Sequence, residues 1–134
     1  MMGADVPERT VHTRWTGGMR AITRAGGFDI VVDEPERSGG TNTGPQPTDL
    51  LLASITSCFA LAMAYVAGKR GIELLGLDVS AVGTYDGPRF TRILLSATSD
   101  SPREVLEGLM PEAERLCYVS NTLRNQPELT IDLG

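Results

Sequence analysis

Aromatic rings, cysteine and basic charge are all scarce in this chain. One Trp, three Tyr and three Phe among 134 residues are too few for a nucleobase-stacking platform. Twelve Lys and Arg stand against seventeen Asp and Glu, a net charge of -5. That balance argues against phosphate-backbone binding and gives no pull toward anionic membranes. Two cysteines cannot make a disulfide scaffold. A single histidine, His12, leaves a zinc site short of ligands, because no close Cys or His pair accompanies it. The start, "MMGADVPERT", lacks a basic stretch followed by an apolar run, so no secretory signal is expected. The expectation is a cytoplasmic protein with reduced thiols.

What is present is one unusual run. From Leu50 to Ala67 no residue is charged, and Cys58 lies in its middle. About 18 apolar residues just suffice for a membrane span. Ser54, Thr56 and Ser57 weaken that reading, and the amphipathic strands around the run need a core. A helix apolar all round is covered on all sides. A chain of 134 residues hardly surrounds one alone, so a second subunit is expected to cover the other side.

Around this helix the pattern reads as strands. "TVHTRWT" alternates, with Val11, Thr13 and Trp15 on one side, and predicts a strand with one buried face. "MRAITRA" and "FDIVVD" follow, with Gly17-Gly18 and Gly26-Gly27 as turns. Residues 34–47, dense in Gly, Pro, Ser, Thr and Asn, predict a long loop. The helix is expected from about Thr48 to about Ala67, with Thr48 or Asp49 capping it. Two strands joined across Asp86-Gly87 come next. "SPRE" predicts a helix with Ser101 as cap and Glu104 closing a capping box, interrupted at Pro111. "ELTIDL" predicts a last strand. The order β-β-β-α-β-β-α-β gives a single α+β domain over 1–134 with antiparallel sheets, residues 1–10 being a flexible N-terminal segment.

Two stretches, "DEPERSGGTNTGPQPTDLLLASITSC" and "CYVSNTL", and the order of elements around them carry a resemblance that runs from about Val11 to the end. Together and in this order, with Cys58 and Cys117 59 residues apart, they resemble the OsmC/Ohr family. The resemblance implies an intertwined homodimer, with antiparallel sheets wrapped around long central helices. It also implies a peroxidase reducing hydroperoxides by a thiol pair, without metal or organic cofactor. Cys58 would then be the attacking thiol and Cys117 the resolving one. The disulfide would be reduced by a dithiol of lipoyl or other type. One departure is visible. In the Ohr branch an Arg directly follows a Gly-Gly pair, whereas Met19 here separates Gly17-Gly18 from Arg20, and the acid after Pro47 is displaced to Asp49. This spacing is closer to the wider OsmC-like branch.

Peroxide attack needs a thiolate, and burial opposes thiolate formation. Cys58, in mid-helix, is too far from its own helix N-terminus to benefit. An arginine is the suitable cation. Arg20 is the first candidate, held by Asp49 in a bidentate pair, and Arg37 in the long loop is the second. The competing reading is a non-enzymatic dimeric domain that binds a small apolar ligand or a partner, its cysteines incidental.

Overall fold

A computed structural model of the chain describes residues 8–134. Of the expected N-terminal segment, residues 1–7 lie outside the described residues, and 8–10 have no regular structure. The fold is α+β. Its contacts divide it into two compact units, Met1–Leu51 and Leu52–Gly134.

The first unit contains a three-stranded antiparallel sheet of β1 (His12–Gly17), β2 (Arg20–Ala25) and β3 (Phe28–Val32). Gly26 and Gly27 join β2 to β3 with φ of 58° and 84°, the left-handed pair that a two-residue hairpin demands and side chains resist. The expected buried face is not buried within this chain. Trp15 is 72% and Phe28 74% exposed. Nothing among the described residues covers them.

The long loop is organised around one carboxylate. Asp33 is 1% exposed and accepts from the backbone N–H of Glu34 (2.7 Å), Thr41 (3.2 Å) and Thr43 (3.1 Å). The hydroxyls of Thr41 (2.5 Å) and Thr43 (2.6 Å) donate to it as well. A short 3-10 turn, Glu36–Ser38, lies inside this loop. The packing leaves no room at Gly40, where a Cβ would sit 1.9 Å from the Glu34 carbonyl oxygen. The threonine hydroxyls hold the Asp33 carboxyl well below the ordinary carboxylate range.

Helix α1 runs from Pro47 to Lys69, two residues longer than expected at its far end. Proline suits its first position, and the Asp49 carboxylate accepts the Gln46 N–H at 3.0 Å, which closes the first turn. By length and composition α1 could cross a membrane, with a mean hydropathy of 2.0. Ile55, Phe59, Ala62, Met63, Val66 and Ala67 are nonetheless buried in protein. They fall at steps of three and four, one helical stripe.

The second unit places β4 (Asp78–Tyr85) antiparallel to β5 (Phe90–Thr98), followed by α2 (Arg103–Leu116) and α3 (Tyr118–Arg124). The α1 stripe packs with Leu109, Ala113 and Cys117, all fully buried. Glu112 binds Arg70 at 2.6 Å and Lys69 at 3.2 Å, tying the end of α1 to α2. First Arg70 and then Lys69 lower the Glu112 pKa.

Three expectations change here. Pro111 does not divide the helix: α2 runs through it, and the break comes at Cys117. Both Pro111 and Glu107 are exposed, so water can serve the carbonyl that the missing N–H leaves free. Ser101 does not cap α2. It is buried, and its hydroxyl accepts the Leu75 N–H at 2.8 Å. "ELTIDL" forms no strand, because no described strand pairs with it.

Replacing Asp33 with Asn should lower the melting temperature at pH 7, since one amide oxygen cannot accept five donors. A depressed native pKa stabilises above the unfolded value of about 4 and is lost as pH falls through the native one. The gap between wild type and Asp33→Asn should therefore narrow from pH 5 to pH 2. A gap independent of pH would contradict this account of the loop.

Candidate functional site

The two cysteines, 59 residues apart in sequence, meet in the second unit. The helical stripe on α2 carries Leu109 and Ala113 inward at steps of four, and Cys117 is the next member. There the backbone turns extended, with φ -78° and ψ 102°. Cys117 thereby ends α2 and caps the start of α3. Cys58 packs against the buried cluster that Cys117 belongs to, and the Cys117 thiol raises the Cys58 pKa. Both are free thiols, Cys117 fully buried and Cys58 half-buried.

The helix break has an electrostatic result. The first N–H groups of a helix have no helical acceptor. Those of Tyr118 and Val119, which open α3, lower the Cys58 pKa. Burial pushes the Cys58 pKa up, the Val119 N–H pulls it down, the neighbouring Cys117 thiol raises it again, and the Tyr118 N–H lowers it. Burial prevails, and the net direction is upward. Cys58 is indeed remote from its own helix N-terminus, but a different helix supplies amides. Sequence reasoning missed Tyr118 and Val119. The polar run "SNT" lies inside α3 and does not mark its start.

The other expected residues lie in the first unit. The Arg20 Nε donates to the Thr43 hydroxyl at 3.3 Å, and Nη1 to the Thr16 hydroxyl at 3.2 Å. Asp49 is engaged with Gln46 instead, so the structure does not bring Arg20 and Asp49 together as an ion pair. Arg37 lies exposed in the 3-10 turn. Thr56 and Ser57, which flank Cys58, direct their hydroxyls to the Ala53 carbonyl at 3.1 and 2.7 Å. This back-bonding satisfies them within an apolar helix.

Among the described residues no three His, Cys, Asp or Glu side chains gather as a metal-binding group. A cavity of about 770 Å³ in the second unit is lined by Ile55, Phe59, Leu95, Met110, Cys117 and Leu123, among others.

A family profile for OsmC-like proteins matches residues 40–132, more than half of the chain, and the chain belongs to that family. An uncharacterized protein of Haloferax volcanii is 27% identical over 128 residues, covering 92% of this chain and 90% of that one. Among solved structures, the organic hydroperoxide resistance protein OsmC of Legionella pneumophila aligns with a TM-score of 0.69 at 20% identity, covering 89% of this chain and 90% of that one. An OsmC-like protein of Mycoplasma pneumoniae aligns with a TM-score of 0.73 at 15% identity, covering 90% of each. At such identities the structural matches establish the fold.

Removing the Cys117 thiol removes a group that raises the Cys58 pKa. Cys117→Ala should therefore move the pH profile of Cys58 alkylation by iodoacetamide to lower pH. A profile unmoved, or moved upward, would show that the two thiols do not interact.

Proposed function

We propose that this protein is a cysteine-based hydroperoxide reductase protecting against oxidative stress. The observation that carries the reading is the packing of the half-buried Cys58 against the buried cluster that contains the Cys117 thiol. Membership of the OsmC-like family and likeness in fold to a protein named for organic hydroperoxide resistance support it.

In the reaction, the Cys58 thiolate attacks the nearer peroxide oxygen. The S–O bond forms, the O–O bond breaks, and the alkoxide leaves and takes a proton to become the alcohol. Cys58 is left as a sulfenic acid. The Cys117 thiol then condenses with it, releasing water and forming a disulfide. A dithiol, lipoyl or other, reduces this bridge through a mixed disulfide, regenerating both thiols as it becomes a disulfide itself. The accessible thiol attacks and the sheltered one resolves, which fits their burial. The amides of Tyr118 and Val119 assist the thiolate, and burial works against it. Arg20 supplies the remaining charge, with Arg37 as the alternative cation. The setting is the cytoplasm, where dithiol reductants are maintained.

The acting unit in this proposal is a homodimer. On α1, the side opposite the buried stripe carries Ala53, Ser57, Leu61, Ala64, Tyr65 and Gly68 without a charge, Leu61 being 66% exposed. In the C-terminal segment, Leu129, Ile131 and Leu133 are at least 84% exposed and alternate with polar residues. Such surfaces mark interaction sites. A second copy presenting the same surfaces is the partner. Size-exclusion chromatography should show a dimer for the wild type and a monomer for Leu61→Glu. A monomeric wild type at tens of micromolar would exclude the dimer.

The cavity beside Cys117 favours a second reading, a domain that binds a small apolar ligand without chemistry. Turnover separates the two. With cumene hydroperoxide or hydrogen peroxide and a dithiol, the wild type should turn over and Cys58→Ser should lose all activity. Cys117→Ser should form no intrachain bridge on a nonreducing gel and should overoxidise at Cys58. A wild type without dithiol-dependent turnover, or a fully active Cys58→Ser, would favour the binding reading.

A further inference from the structure

The wall of the cavity in the second unit carries two sulfur atoms from one helix. Met110, Glu114 and Cys117 line it together. Their spacing of four and three residues puts them on one side of α2. Cys117 is fully buried, whereas Met110 is 45% exposed. Ile55, Phe59, Leu95 and Leu123 make much of the remaining wall apolar. A volume of about 770 Å³ falls in the range of small-molecule sites, and such a wall favours an apolar molecule over water. The two sulfurs differ in chemistry. A thiol must ionise before it attacks an electrophile, and apolar surroundings oppose that. A thioether has no proton to lose, and its soft sulfur is nucleophilic as it stands.

We propose that Met110 is an oxidation site of this protein, converted to the sulfoxide by apolar hydroperoxides that enter the cavity. The sulfur attacks the peroxide oxygen that carries the hydrogen. The S–O bond forms, the O–O bond breaks, and the leaving alkoxide takes that hydrogen as a proton. The products are methionine sulfoxide and the alcohol, the sulfur giving up the two electrons that the peroxide gains. Methionine sulfoxide reductases reverse the modification. The sulfoxide places a polar group on the cavity wall, so the oxidised protein takes up apolar molecules less well. This inference rests on the hydroperoxide reading for the class of ligand alone, since neither cysteine takes part in the step.

The chain holds its own references for the test. Met19, in the turn between β1 and β2, is 53% exposed and is not part of the cavity wall. Met63 is 1% exposed. Cys58→Ser is treated with cumene hydroperoxide and, separately, with hydrogen peroxide, and sulfoxide at each methionine is followed by peptide mass. The variant keeps the attacking thiol from consuming the oxidant. Hydrogen peroxide gains nothing from an apolar wall and should oxidise Met110 and Met19 at similar rates. With cumene hydroperoxide the ratio of Met110 to Met19 oxidation should rise roughly fourfold or more, fourfold being what withdrawing a single methylene from water contributes. Met63 should stay reduced. Cumyl alcohol, which keeps the shape and lacks the O–O bond, should slow oxidation at Met110 and leave Met19 unaffected. A ratio that is the same for both oxidants, or that cumyl alcohol does not change, would overturn the proposal. So would oxidation of Met63 in step with Met110, which reports opening of the core rather than entry into the cavity. Dithiol-dependent turnover by the wild type separates the two failures. Turnover without a raised ratio leaves the reductase standing without this inference. A raised ratio without any turnover leaves the Met110 site standing without the reductase.

Discussion

The arrangement of the second unit depends on the extended backbone at Cys117. Had α2 continued for another turn, the amides of Tyr118 and Val119 would have been spent on carbonyls four residues back. Because the helix stops, they act on Cys58 instead, and both lower its pKa. The same residue that breaks the helix carries the second thiol and belongs to the buried stripe with Leu109 and Ala113. A single conformational event thus supplies the neighbour, the donors and the change of chain direction. The cost is desolvation, and the upward direction of the Cys58 pKa shows that two amides do not offset it. A cation from elsewhere remains a chemical need of any thiolate chemistry at this position.

The first unit is governed by a comparable constraint, the need of a buried carboxylate for donors. Asp33 collects them from the loop that follows it. A loop of glycine, proline and threonine thereby acquires one conformation without a hydrophobic core. Thr41 and Thr43 both donate to Asp33, and Thr43 also accepts from Arg20.

The sequence made the local events legible wherever one residue type has one use. Gly26-Gly27 and Asp86-Gly87 marked their hairpins, and the charge-free run marked α1 with an error of a turn or less at its ends. The two cysteines were legible as a pair only through the family pattern, since nothing in a spacing of 59 residues says that they touch. Ser101 was misread because a side chain near a helix start can serve another backbone, and Leu75 took it. Asp49 could pair outward or cap its own helix, and the cap prevailed because Gln46 is only three residues away. The last strand was illegible for a different reason. Alternation shows that a segment can pair, but a strand exists only with a neighbour. The partners of Arg20 were hidden because hydroxyl acceptors carry no charge pattern to read.

The inequality of the two thiols has one more consequence. Cys117 is shielded by the α1–α2 core, so a bulky thiol reagent meets it only when that core opens. Cys58 is only half-buried. The chain therefore carries an internal gauge of its own opening. The count of accessible thiols rises from one to two when α2 leaves α1, and where reclosing outpaces the reagent the rate of the second modification reports the free energy of that separation.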